Sequence, residues 1–358
     1  MGSRALRGGL AMMCIAVAAL AAACGSSGGG TTDAASVDPL TETVPASTIP
    51  ATTPVEAGTF RLIGQPSLAF DLVRTGAALG FVGREGLSMR TRAVASDDDV
   101  LAALRSGAAD AAVVSSDQAL ALASRGADLR IVLLLTTVTT GEQILARPDV
   151  GDVSGLVGKR VGYVAGTDGE LMLRGTLAAQ QVPVTQVRLV RSGGRSPGAL
   201  LLDRAVDAAV DDGVRAAEVQ AADAAIAPIA TAGDLPGLLS RVLVVRTETA
   251  AARPGQVLAF TRAWQDLYLY ERDAPDAVAA DIASMRHAPV EDATAELQGI
   301  SLYDVSANAV DLLPGGEYYD RTLAQIDAAA SAAGWLAAPV DVHAQIDGSF
   351  AQAVASAR

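Results

Sequence analysis

AADAAVVSSDQAL at residues 108–120 and AVDAAVDDGVRAA at residues 205–217 spell nearly one phrase twice, 97 residues apart. Each has an Asp, a short apolar run, a polar break and an Ala-rich stretch at helical spacing. That order is the signature of a buried strand whose end turns directly into a helix. The flanking segments repeat in step: Arg61 and Arg160 are 99 residues apart, Arg92 and Arg188 are 96 apart. Working outward, strands are expected at 60–65, 89–95, 110–115 and 130–138, and again at 159–166, 185–193, 207–212 and 224–230. Helical stretches separate them. Short apolar strands alternating with helices predict two α/β lobes, each on a parallel sheet covered on both faces.

Sheets of this kind bind ligands beyond the carboxyl ends of their strands. The first lobe offers Gln65, Ser67, Ser115, Ser116, Asp117, Thr136 and Thr137 there, and the second Thr167, Asp168, Asp211 and Asp212. These are the candidate ligand-binding residues, facing each other across a cleft. They sit where helices open, so unpaired backbone N–H groups and short polar side chains point the same way. Helix caps use the same residue types: Ser96 with Asp99 three places on is a capping-box pattern. Which cleft Asp are ligands and which are caps stays open at this point. Several carboxylates with only Arg195 nearby lean toward a nitrogenous ligand, because an unpaired like charge in a buried site is costly. Asp110 and Asp207, at the strand starts, belong at the far ends of their sheets and matter for folding.

The chain ends carry a different message. Arg4 and Arg7 precede GLAMMCIAVAALAAA (9–23), an apolar run of 15 residues, shorter than the ~20 of a membrane span. Residues 1–23 therefore read as an export signal. Small residues stand directly before Cys24, which resembles the lipobox of bacterial lipoproteins, although Ala21 stands where Leu is usual. In that resemblance Cys24 is the acylated residue and the attachment to the membrane. Residues 24–57 are Ser, Thr, Pro, Gly and Ala with few large apolar side chains, the composition of a flexible linker. Cys14 and Cys24 are the only cysteines, so the exported part forms no internal disulfide. The remainder is expected to divide into lobe 1 at 58–145, lobe 2 at 146–245, and a return to lobe 1 with C-terminal helices at 246–358.

A formal charge of −13, which becomes −15 without Arg4 and Arg7, argues against nucleic acid or anionic lipid headgroups as partners. His287 and His343 are the only histidines and lie off the strand-end loops. No metal site and no cofactor are expected. GLVGKR at 155–160 lacks the first Gly of a phosphate-binding loop and precedes a strand instead of following one.

DVSGLVGKRVGYVAGTDGE (152–170), with its entry to the second lobe at Val153–Gly162, and the return segment after Arg253-Pro254 carry a family likeness. With the lipobox and the two lobes, they make the chain similar to solute-binding proteins of ABC importers. The likeness is strongest to the branch serving nitrate, sulfonates, taurine and pyrimidine precursors of thiamine. It implies a type II periplasmic-binding-protein fold of class α/β: two Rossmann-like lobes around a ligand cleft, with C-terminal helices packed on lobe 1. It also implies two hinge crossings, near 138–150 and 240–252. The function implied is capture of a small polar organic solute by hinge closure and delivery to a membrane permease, by a monomer anchored outside the cytoplasm and not an enzyme. A cofactor-biosynthesis enzyme on this fold and a tethered ligand sensor are the alternatives.

Overall fold

The computed structural model describes residues 48–357. Cys24, the signal and the linker up to residue 47 lie outside them. Eleven strands are present among the described residues: β1 Phe60–Gly64, β2 Met89–Ala93, β3 Ala111–Ser115, β4 Leu129–Val138, β5 Gln143–Ala146, β6 Arg160–Tyr163, β7 Arg188–Arg191, β8 Ala208–Asp211, β9 Ala227–Thr231, β10 Ser240–Arg246 and β11 Ile300–Leu302. They form two sheets, ordered β11-β4-β10-β3-β1-β2 and β7-β6-β8-β5-β9.

The sequence repeat is a structural repeat. β2-β1-β3 and β7-β6-β8 are matching parallel triplets. The sheets are not purely parallel, however. β10 lies antiparallel between β3 and β4, and β5 lies antiparallel between β8 and β9. Each sheet therefore receives one reversed strand from the chain crossing over from the other lobe, a connection that apolar periodicity does not reveal, and the first sheet has a second in β11, antiparallel to β4. β5 already belongs to the second sheet and β10 to the first, so the chain crosses at 139–142 and returns at 232–239. The second crossing lies upstream of the expected 240–252.

Both faces of the first sheet are buried, and alternation along each strand divides them. Leu62, Val113, Leu133, Leu135 and Leu243 meet helices Pro254–Asp273, Pro275–Arg286 and Ser349–Ala355 through Trp264, Leu267, Ile282 and Phe350. Ile63, Val114, Leu134 and Val242 face the opposite way, into a second cluster with Leu120, Leu323 and Ile326. Helix Leu323–Ala333 reaches beyond lobe 1, packing on both Ser116–Ser124 and Asp168–Ala179 of lobe 2.

The described end of the expected linker is docked. Ile49 and Val55 pack against the core under Pro254–Asp273, and Glu56 accepts from Gly255 N at 3.1 Å and Gln256 N at 3.0 Å. A carboxylate here satisfies two unpaired N–H groups of the helix N-terminus.

Candidate functional site

A cavity of about 830 Å³ opens between the lobes, beside the crossing at 139–142. Lobe 1 contributes Leu68, Asp292, Glu296 and Ile300; lobe 2 contributes Asp212, Val214, Arg215 and Glu218; Thr140, Gly141 and Glu142 of the crossing form its inner wall. Backbone proximity is what makes the crossing compact: a Cβ on Gly213 would stand 3.3 Å from Gly141 O, and one on Gly233 2.9 Å from Thr139 O. Glu142 O accepts from Ala232 N at 2.9 Å, joining the two crossings.

At the inner end of the cleft one ion pair spans the lobes. Arg241, first-sheet residue on β10, donates from Nη2 to Asp168 Oδ2 at 2.7 Å, in the first turn of Asp168–Ala179. Arg241 Nη1 is buried without a partner. Asp117 and Glu142 complete the electrostatic group around this guanidinium. Burial, with repulsion from Asp168, raises Asp117 despite its bond to Ser115. Burial, with repulsion from Asp168, Asp212 and Asp211, pushes Glu142 up to about 7, against the attraction of Arg241.

The sequence candidates divide. Asp117 and Asp168 come together at Arg241, and Asp212 lines the cavity while capping helix Gly213–Ala222 through Arg215 N. Asp211 is buried and turned inward: Oδ2 accepts from Gly198 N at 2.7 Å, an approach that leaves no room for a Cβ at 198. Burial raises its carboxyl against that bond. Ser67 and Ser115 cap their own helices. Ser116 is enclosed in a hydroxyl group with Ser240 at 2.7 Å and Tyr318 at 2.6 Å. Thr136 and Thr137 are buried on β4, Thr137 accepting from Gly237 N. Thr167 is exposed and donates to Val164 O, and Gln65 donates to Asp97. Arg195 pairs with Asp203 at the surface, so it is not the cleft cation.

Strand-end reasoning does not mark Arg241 and Glu142, because Glu142 lies on the first crossing and Arg241 near the start of β10, directly after the second. The one available signal was the charge itself: Arg241 interrupts the apolar run LLSRVLVV, and Glu142 precedes the apolar QILA.

The chain compares with known proteins as follows. No curated protein matches it in sequence. The aliphatic sulphonate binding protein SsuA of Escherichia coli superposes with a TM-score of 0.63 at 14% identity, over 82% of this chain and 92% of that one. A putative sulfonate-binding SsuA of Methylobacillus flagellatus KT gives 0.64 at 16% identity, over 85% and 94%. A mutant of DszB, a desulfurization enzyme, in complex with biphenyl-2-sulfinic acid, gives 0.52 at 19% identity, over 83% and 99%. These likenesses establish the periplasmic-binding-protein fold, which both binding proteins and an enzyme use. The family model described as NMT1/THI5 like matches residues 72–278, and the chain belongs to that NMT1/THI5-like family.

Proposed function

We propose that this protein is the extracytoplasmic solute-binding component of an ABC import system: it captures a small polar organic solute by closing its lobes and hands it to a membrane permease. The observation that carries the reading is the interlobe cavity, walled by both lobes and by the crossing about which they would turn. Two short crossings leave rigid-body rotation as the natural motion, and a ligand touching both lobes favours the closed form. Arg241–Asp168 spans the same gap. The binding-protein neighbours support the role, and acylation at Cys24 would keep the protein at the membrane as a monomer.

The test is native mass spectrometry of protein purified without unfolding. A releasable small-molecule adduct, absent after Val214→Trp fills the cavity rim, is expected; conversion of that molecule by the protein would favour the enzyme reading. Cys24→Ser is expected to move the protein from the membrane to the soluble fraction, and membrane retention would exclude the lipid anchor.

A further inference from the structure

We propose that the solute taken by the cleft bears a positive charge on nitrogen, an ammonium or amidinium group seated against Glu142. This deepens the solute-binding reading and rests on it. The lining of the cavity includes five carboxylates, Glu142, Asp212, Glu218, Asp292 and Glu296, against one cation, Arg215. Arg215 is committed to Asp212, and Glu296 is met by Arg286 from outside the cavity. Glu142, Glu218 and Asp292 have no ion-pair partner among the described residues.

The inner end adds to this imbalance. Arg241 is engaged by Asp168 and lies within the influence of Asp117 and Glu142, so one guanidinium faces three carboxylates. A buried charge is tolerated when it is paired, and here the group in short supply is a cation. An anion in the same space would meet carboxylates on both rims. Arg241 Nη1, buried without a partner, has donor capacity to spare for an acceptor oxygen. Leu68, Val138, Val214 and Ile300 line the rest of the cavity, which suits a solute with an apolar body behind its charged nitrogen. The groups facing Glu142 are Asp168, Asp211, Asp212 and Arg241, and all but the last favour its protonated form. A cation must therefore displace the Glu142 proton in order to bind below about pH 7.

The experiment is isothermal titration of the purified protein with benzylamine, benzamidine and putrescine, with ethanesulfonate and nitrate, and with benzyl alcohol as a neutral control. At least one cation is expected to bind, about tenfold or more weaker in Glu142→Gln, the cost of a lost charged hydrogen bond. Its affinity is expected to rise about fivefold from pH 6 to pH 7 with proton release, and to be flat in Glu142→Gln. Asp292→Asn, on the facing rim, should weaken the same cation less. An unliganded Glu142→Gln protein melting at or above the wild-type temperature shows that the variant folds. Binding of anions or the neutral control without cations overturns the charge class and leaves solute binding standing. Binding of nothing overturns both, and cation binding indifferent to Glu142→Gln and to pH overturns the seat.

Discussion

Asp110 and Asp207 hold their strand starts through the same three bonds. Asp110 accepts from Arg61 N at 2.8 Å, Nε at 2.9 Å and Nη2 at 2.7 Å; Asp207 accepts from Arg160 N at 2.8 Å, Nε at 3.2 Å and Nη2 at 3.0 Å. Arg253 adds a further bond to Asp110, whose side chain is fully buried where that of Asp207 is 29% exposed. Removing Asp110 strands two arginines, so Asp110→Ala should cost about 3 kcal/mol by chemical denaturation, and Asp207→Ala about 1 to 2 kcal/mol. Burial alone would raise Asp110, but the Arg61 and Arg253 bonds outweigh it and hold the carboxyl below its ordinary 3.8. Its contribution is thus complete above that ordinary value and is lost as the pH falls through the lowered one. The stability difference between wild type and Asp110→Asn should shrink below about pH 4; a difference constant down to pH 2 would contradict the clamp. Glu142 behaves oppositely. Its raised value near 7 means that the folded state keeps a proton the unfolded state has released, so stability falls as the pH rises from about 4.5 to 7. Glu142→Gln should stabilise the unliganded protein by on the order of 2 to 3 kcal/mol at pH 8 and hardly at all at pH 4.5. The aspartate clamps were legible because they recur at one spacing; Glu142 and Arg241 were not, since their meaning depends on which sheet a crossing strand joins.

At the level of elements, the order of eight of the eleven described strands could be read from periodicity, and hydroxyl roles could not. Ser67, Ser115 and Asp212 occupy helix starts where their oxygens are taken by backbone N–H groups, and a cap and a ligand-binding group look alike in one sequence. The antiparallel β5 and β10 were not among the expected strands: both fall where hinge crossings were expected, and a short apolar run beside a crossing does not say which sheet it joins. The segment before β1 was misjudged for a related reason: its few apolar residues suggested a linker throughout, yet Ile49, Val55 and Glu56 dock on the start of Pro254–Asp273. A chain beginning at residue 48 should melt like the full chain, whereas one beginning at residue 58 should lose roughly 2 kcal/mol, from partial burial of two aliphatic side chains and two capping bonds. Glu56→Ala alone should lose about 1 kcal/mol. Equal melting of the two truncations would show that the docked segment contributes nothing.

For the whole molecule, the exchange of β5 and β10 between sheets ties each lobe to the other through two crossings, and the cleft follows from that topology. Helix Leu323–Ala333, resting on helices of both lobes, limits how far they can part, so closure is expected to be a modest rotation about 139–142 and 232–239. The central claim is that the lobes close on a small solute. Spin labels at Ala217→Cys and Val290→Cys, both exposed and on helices bordering opposite rims of the cavity but outside its lining, report that motion when Cys14 and Cys24 are replaced by Ser. Pulsed electron–electron resonance should give a long or broad distance distribution after partial unfolding, dialysis and refolding have stripped the solute. Adding the solute recovered from native protein should shift it to a single shorter distance; one unchanged distribution in both states would contradict the account.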